Sequence, residues 1–113
     1  MPSERYVTTT TGLSSTFGWP IYVPDCMVRP FNIGIGCVVS STGTQTYNVE
    51  HSFDYTGSST FISSNATWFA NSALNAQSSN ANGNYASPVS VIRLNVTNGS
   101  SLGAVTMTIM QAG

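Results

Sequence analysis

The only histidine, His51, follows Glu50 directly and stands three residues before Asp54. A histidine base beside a hydroxyl nucleophile, with a carboxylate orienting it, would support nucleophilic catalysis. The spacing works against that. Residues 44–55 read TQTYNVEHSFDY, and in an extended chain successive side chains alternate faces. Tyr47, Val49, His51, Phe53 and Tyr55 then share one face, and Asn48, Glu50, Ser52 and Asp54 share the other. His51 is set apart from every group it would need within its own strand. It is expected as a buried or interface histidine. Glycoside hydrolysis needs two carboxylates flanking one bond. Glu50 and Asp54 share a face but stand about 13 Å apart at roughly 3.3 Å per residue. They are expected as solvated or interface carboxylates.

The other reactive types are few. Cys26 and Cys37 stand eleven positions apart, which matches no zinc-site spacing, and one histidine cannot complete a ligand set. Buried free thiols are the leading reading, with a disulfide as the alternative. Gly34 and Gly36 lie inside an alternating run rather than between a strand and a helix, so they are no dinucleotide fingerprint. Trp19, Trp68 and Phe69 could form a platform for a sugar or a single strand, although aromatic residues more often fill cores or subunit contacts. Arg93 is the one charge in a strong C-terminal strand pattern. It is expected to pair with Glu50 or Asp54 across a sheet, with an exposed or a recognition arginine as the other readings. No catalytic residue, cofactor or metal ligand is expected.

The elements that would position these residues are strands. Phe31, Ile33, Ile35, Cys37 and Val39 alternate with smaller or polar neighbours, and SSTGT follows at 40–44. The pattern predicts a hairpin joining 31–40 to 44–55. Residues 73–84 read as a long polar loop with a turn at Asn82-Gly83. Val89–Val96 and Leu102–Met110 read as two further strands separated by Thr97-Asn98-Gly99-Ser100. No window carries a capped helix period. The expected fold is all-β: a single antiparallel β-sandwich, jelly-roll or immunoglobulin-like. Residues 1–28 are expected as an N-terminal arm, or an edge strand within it, and a proline-containing lead-in. Residues 29–113 are expected as the sandwich.

Composition narrows the class. The chain has 113 residues, of which 6% are charged, with no lysine and a net charge of −1. Ser, Thr and Asn exceed a third of it. Missing cations disfavour electrostatic nucleic-acid binding, and no apolar run reaches membrane-spanning length. MPSERYVTTT lacks a basic then apolar leader, so export is not expected. A surface this neutral does not repel its own copies. It fits either a domain that tolerates low charge or a subunit packed against copies of itself or a larger partner.

Two segments carry a resemblance. RPFNIGIGCVVSSTGTQTYNVEHSFDY, residues 29–55, and the stretch 66–113 resemble small virion proteins of tailed bacteriophages. The likeness lies in TYNVEHSFD, in TWF and in the ending VIRLNVT…VTMTIMQAG. The resemblance implies a non-enzymatic capsid cement or decoration protein that is made in the host cytoplasm and bound outside the icosahedral shell. Its partner would be the major capsid protein, and it would assemble as a dimer or trimer. Contacts are then expected from Tyr6 and Val7 in the arm, from Trp19 and Tyr22, from Trp68 and Phe69 in the 56–84 loops, and from Arg93. A head–tail connector, tail or fibre component is the alternative, and a carbohydrate-binding β-sandwich module is a second one.

Overall fold

The computed structural model describes residues 4–11, 21–24, 31–40, 45–55, 65–99 and 103–111. They form eight strands: β1 (Glu4–Thr11), β2 (Ile21–Tyr22), β3 (Ile33–Val39), β4 (Gln45–Ser52), β5 (Phe69–Ala70), β6 (Ala81–Tyr85), β7 (Val91–Gly99) and β8 (Ala104–Gln111). The first sheet runs β1-β8-β3-β6 and the second β2-β7-β4-β5. Every pairing is antiparallel. The two sheets pack into the β-sandwich that the alternating pattern implies.

Alternation places the core. Ile33, Ile35 and Cys37 of β3 and Val105, Met107 and Ile109 of β8 point inward from the first sheet. Tyr47 and Val49 of β4 meet them from the second, with Ile92, Leu94 and Val96 of β7. Each such aliphatic side chain contributes about 1.5–3 kcal/mol on burial. Their facing rows are what hold the sheets together.

Connectivity departs from the local reading in three places. The hairpin expected between 31–40 and 44–55 does not form. β3 pairs with β8 and β6, whereas β4 pairs with β7 and β5, so the chain crosses from one sheet to the other between them. Both strands carry an apolar face, and crossing sets those faces against each other across the core instead of side by side. The same crossing separates β7 from β8. The turn expected at Asn82-Gly83 is instead the middle of β6, where Gly83 pairs with Ile35. A side chain at 83 would meet Leu74 Cδ1 at 3.0 Å and Asn71 Oδ1 at 3.2 Å, so glycine is there for close approach rather than for turning. For the first residues, the structure shows the edge strand: all eight residues of β1 pair with β8 in unbroken register. Ile21 and Tyr22 join the second sheet opposite Arg93 and Ile92. The sandwich therefore takes strands from the 1–28 stretch as well as from 29–113.

Both margins of the sandwich are closed by specific contacts. On the β1–β2 side, Tyr6 and Tyr22 pack with ring centroids 5.1 Å apart, and the Tyr22 hydroxyl donates to Gln111 Oε1 at 3.1 Å. On the β5–β6 side, residues 71–77 run beside β4. Val49 N donates to Leu74 O, and Tyr47 and Gln77 exchange both backbone hydrogen bonds. Leu74 is fully buried. Asn71 Nδ2 donates to Asn84 O of β6 at 3.1 Å, which links that segment to the other sheet.

These contacts separate a strand from an appendage. Deleting residues 1–11 is expected to lower the Tm of the free protein by about 10 °C or more, because β8 loses its neighbour and Tyr22 its packing partner. A detachable arm would leave the Tm unchanged in a thermal melt followed by circular dichroism.

Candidate functional site

Glu50 of β4 lies directly opposite Arg93 of β7 on the outer face of the second sheet. Arg93 Nη2 is 2.7 Å from Glu50 Oε1, and Arg93 Nε donates to the same oxygen at 2.8 Å. Asn48 Nδ2 and Asn95 Nδ2 donate to Oε2 at 3.2 and 3.3 Å. The Trp68 ring covers the guanidinium at 4.0 Å, and both charged side chains are almost fully shielded. Of the three readings for Arg93, the ion pair with Glu50 is the one found. Burial of a charge is tolerable only with such pairing and hydrogen bonding.

Asp54 has a different task. Its Oδ2 accepts from Thr67 N at 2.7 Å, while its own N–H donates to Ser52 Oγ at 3.1 Å. It ties down the segment that delivers Trp68. The two carboxylates thus hold two different pieces of structure in place.

His51 stands on the other side of β4, at the β5–β6 margin. Its Nδ1 is 2.9 Å from the Tyr85 hydroxyl. Its ring stacks on Phe69 at 5.8 Å and meets Phe53 and Tyr85 edge-on at 5.6 and 5.0 Å. Burial lowers the proton affinity of His51 below that of a free histidine. Burial also raises the Tyr85 phenol; the Asn71 hydrogen bond opposes this, and the Glu50 charge adds to it. Adjacent residues in β5 and its lead-in therefore clamp the second sheet on both faces, with Trp68 over Arg93 of β7 and Phe69 over His51 of β4.

The expected contact residues fall into groups. Trp68, Phe69 and Arg93 are brought together, with Arg93 turned to an internal role. Tyr6 and Tyr22 form a second group at the opposite margin, where Tyr22 is buried and bonded to Gln111. Val7 stands apart on the outer face of the first sheet, 44% exposed. Trp19 lies outside the described residues, as does Cys26. Cys37 is a buried free thiol, pushed up to about 12 by burial and lying against the Tyr47 hydroxyl. Among the described residues, no three His, Cys, Asp or Glu side chains gather as a metal site would require.

Phe53 is the surface residue that the alternating pattern misplaces. Parity carries it into the core row, yet it is 58% exposed beside the half-exposed Phe69, with ring centroids 6.0 Å apart. The reason is that β4 ends at Ser52, whose carbonyl accepts from both Ser90 N and Ser90 Oγ. The chain leaves the sheet there and the parity no longer applies. The Ser52-Phe53-Asp54 step, a polar pair around an aromatic, was the available signal.

The outer face of the first sheet is the flattest surface. By register it carries Arg5, Val7, Thr9 and Thr11, then Ala104, Thr106, Thr108 and Met110, then Gly34, Gly36 and Val38. Side chains at Gly34 and Gly36 would meet nothing within 4 Å. Val7, Val38 and Met110 are exposed, and Thr9 and Thr106 share a hydroxyl hydrogen bond at 3.0 Å. Arg5 is its one charged side chain among the described residues.

No protein-family model, no curated protein and no solved structure matches the chain.

Two outcomes follow from the site's geometry. Arg93→Met strands the shielded Glu50 charge and is expected to cost about 3–5 kcal/mol in urea unfolding, with Glu50→Leu added to it restoring most of that. An additive double variant would show the pair to be uncoupled. Stability is also expected to fall as pH drops through about 6.5, since the unfolded chain takes up a proton there that the folded His51 resists. In Tm measurements between pH 7.5 and 5, His51→Phe should flatten that slope, and an unchanged slope would place its origin elsewhere.

Proposed function

We propose that the chain is a non-enzymatic structural subunit of a bacteriophage virion, a cement or decoration protein that binds outside the icosahedral shell and stabilises it. The observation that carries this reading is the division of roles between inside and outside. The paired charges Glu50 and Arg93 and the imidazole are committed to holding strands and straps. Large apolar side chains are left outside: Val7, Val38 and Met110 on the flat face, Phe53 and Phe69 at the margin, and Val23. A face with one charge and little side-chain relief suits docking onto another protein surface.

Stabilisation then follows from mass action. A subunit that binds only the assembled shell shifts assembly toward that shell, and many weak contacts on one lattice add through multivalency. The major capsid protein is the partner on this reading.

Quantitative mass spectrometry of purified particles from the source tests it. A copy number of the same order as the major shell protein is expected. A handful of copies per particle would move the chain to a connector, tail or fibre. Absence from particles would overturn the virion reading and bring the carbohydrate-binding module forward.

A further inference from the structure

The four sheet edges are unequal. The β2 and β5 edges are two residues long. The β6 edge spans five residues, and its Asn84 carbonyl is already taken by Asn71 while Leu74 and Asn71 crowd Gly83. β1 differs from all of these. It runs eight residues, ERYVTTTT, with no proline and an unbroken register against β8. Among the described residues, β8 is the only strand that pairs with it.

An outer strand offers alternate N–H and C=O groups to any incoming strand. Natural edges are guarded by shortness, bulges, proline, charged side chains or a covering helix or loop. β1 is long, unbulged and free of proline, its charges are confined to Glu4 and Arg5 at one end, and the chain has no lysine. Four consecutive threonines favour extended backbone. From Tyr6 to Thr11 the edge is therefore suited to an incoming strand.

We propose that the occupant is a second copy of this chain, added antiparallel along β1 about a two-fold axis at Val7, so that the two first sheets become one continuous sheet of eight strands. This deepens the reading of the chain as an assembly subunit and rests on it. Directly opposed residues of an antiparallel pair share a face. A two-fold register centred on Val7 sets Val7 against its own copy, Tyr6 against Thr8 and Arg5 against Thr9. The exposed Val7 side chain is then covered by an identical apolar partner, as isologous contacts require. The Arg5 charges are kept apart, and a net charge of −1 per chain opposes the approach only weakly.

The experiment is sedimentation equilibrium of the full chain and of Val7 variants. Val7 faces outward, opposite Thr108 of β8, so a polar substitution there leaves the internal pairing intact. A wild-type dimer is expected. Val7→Lys and Val7→Glu should each weaken it roughly tenfold or more by opposing like charges at the axis, with β-rich circular dichroism retained. An equimolar mixture of the two should dimerise again. A wild type that stays monomeric at several hundred micromolar would overturn the proposal. So would a Val7→Lys dimer as tight as wild type, which would place the interface elsewhere. Counting on particles separates this from the virion reading. A monomeric wild type present at shell-like copy number, with β1 amides protected from exchange only when bound, would assign the edge to a shell-protein strand and sink the second-copy proposal alone. Absence from particles would sink the virion reading whatever the solution state.

Discussion

Two sheets with one apolar face each can hide those faces only against one another. That constraint governs this molecule. With 6% charged residues, the surface has little else to set it apart from the interior, so period-two alternation carries almost the whole distinction. The rows of Ile33, Ile35 and Cys37 and of Val105, Met107 and Ile109 meet Tyr47, Val49 and the β7 row in one core. Apart from β4 and β5, which pair with each other, consecutive strands cross between sheets, which sets their apolar faces against each other across the core.

The polar and aromatic residues act where that apolar rule stops. The outer face of the second sheet is stitched by Glu50 and Arg93 beneath Trp68. One margin is closed by Tyr6, Tyr22 and Gln111. The other is closed by His51, Tyr85, Phe69 and the 71–77 segment. Side chains with catalytic potential are used here as fasteners. Tyr85 and His51 join β6 to β4, and so join the two sheets across the margin. The result is a scaffold whose described outward surfaces are sparsely charged, which is the physical basis for reading it as a part of something larger.

Much of this was legible in residue types and spacing. The all-β class and the apolar rows of β3, β7 and β8 follow from parity, since parity is a local property of extended backbone, whereas the choice of Glu50 over Asp54 for Arg93 comes from the β4–β7 register. Strand partners are not local. The SSTGT cluster after β3 permits either a hairpin or a crossing, and only the distant β8 and β7 decide between them. Asn82-Gly83 carries strong turn chemistry, but the approach of Leu74 and Asn71 overrides it. Phe53 was misplaced because a strand's end is set by hydrogen bonds from Ser90, thirty-eight residues away. The margins were invisible for the same reason: Tyr6 with Tyr22, and His51 with Tyr85, meet only once both sheets exist.

The central claim is that this sandwich is an external brace on a capsid. Cryo-electron microscopy of the intact particle tests it most directly. The account predicts density for paired four-stranded sheets on the outer surface, at every equivalent lattice position, with the sparsely charged face of the first sheet or the Phe53–Phe69 margin turned toward the shell. A fully occupied shell whose exterior shows no such density would contradict it.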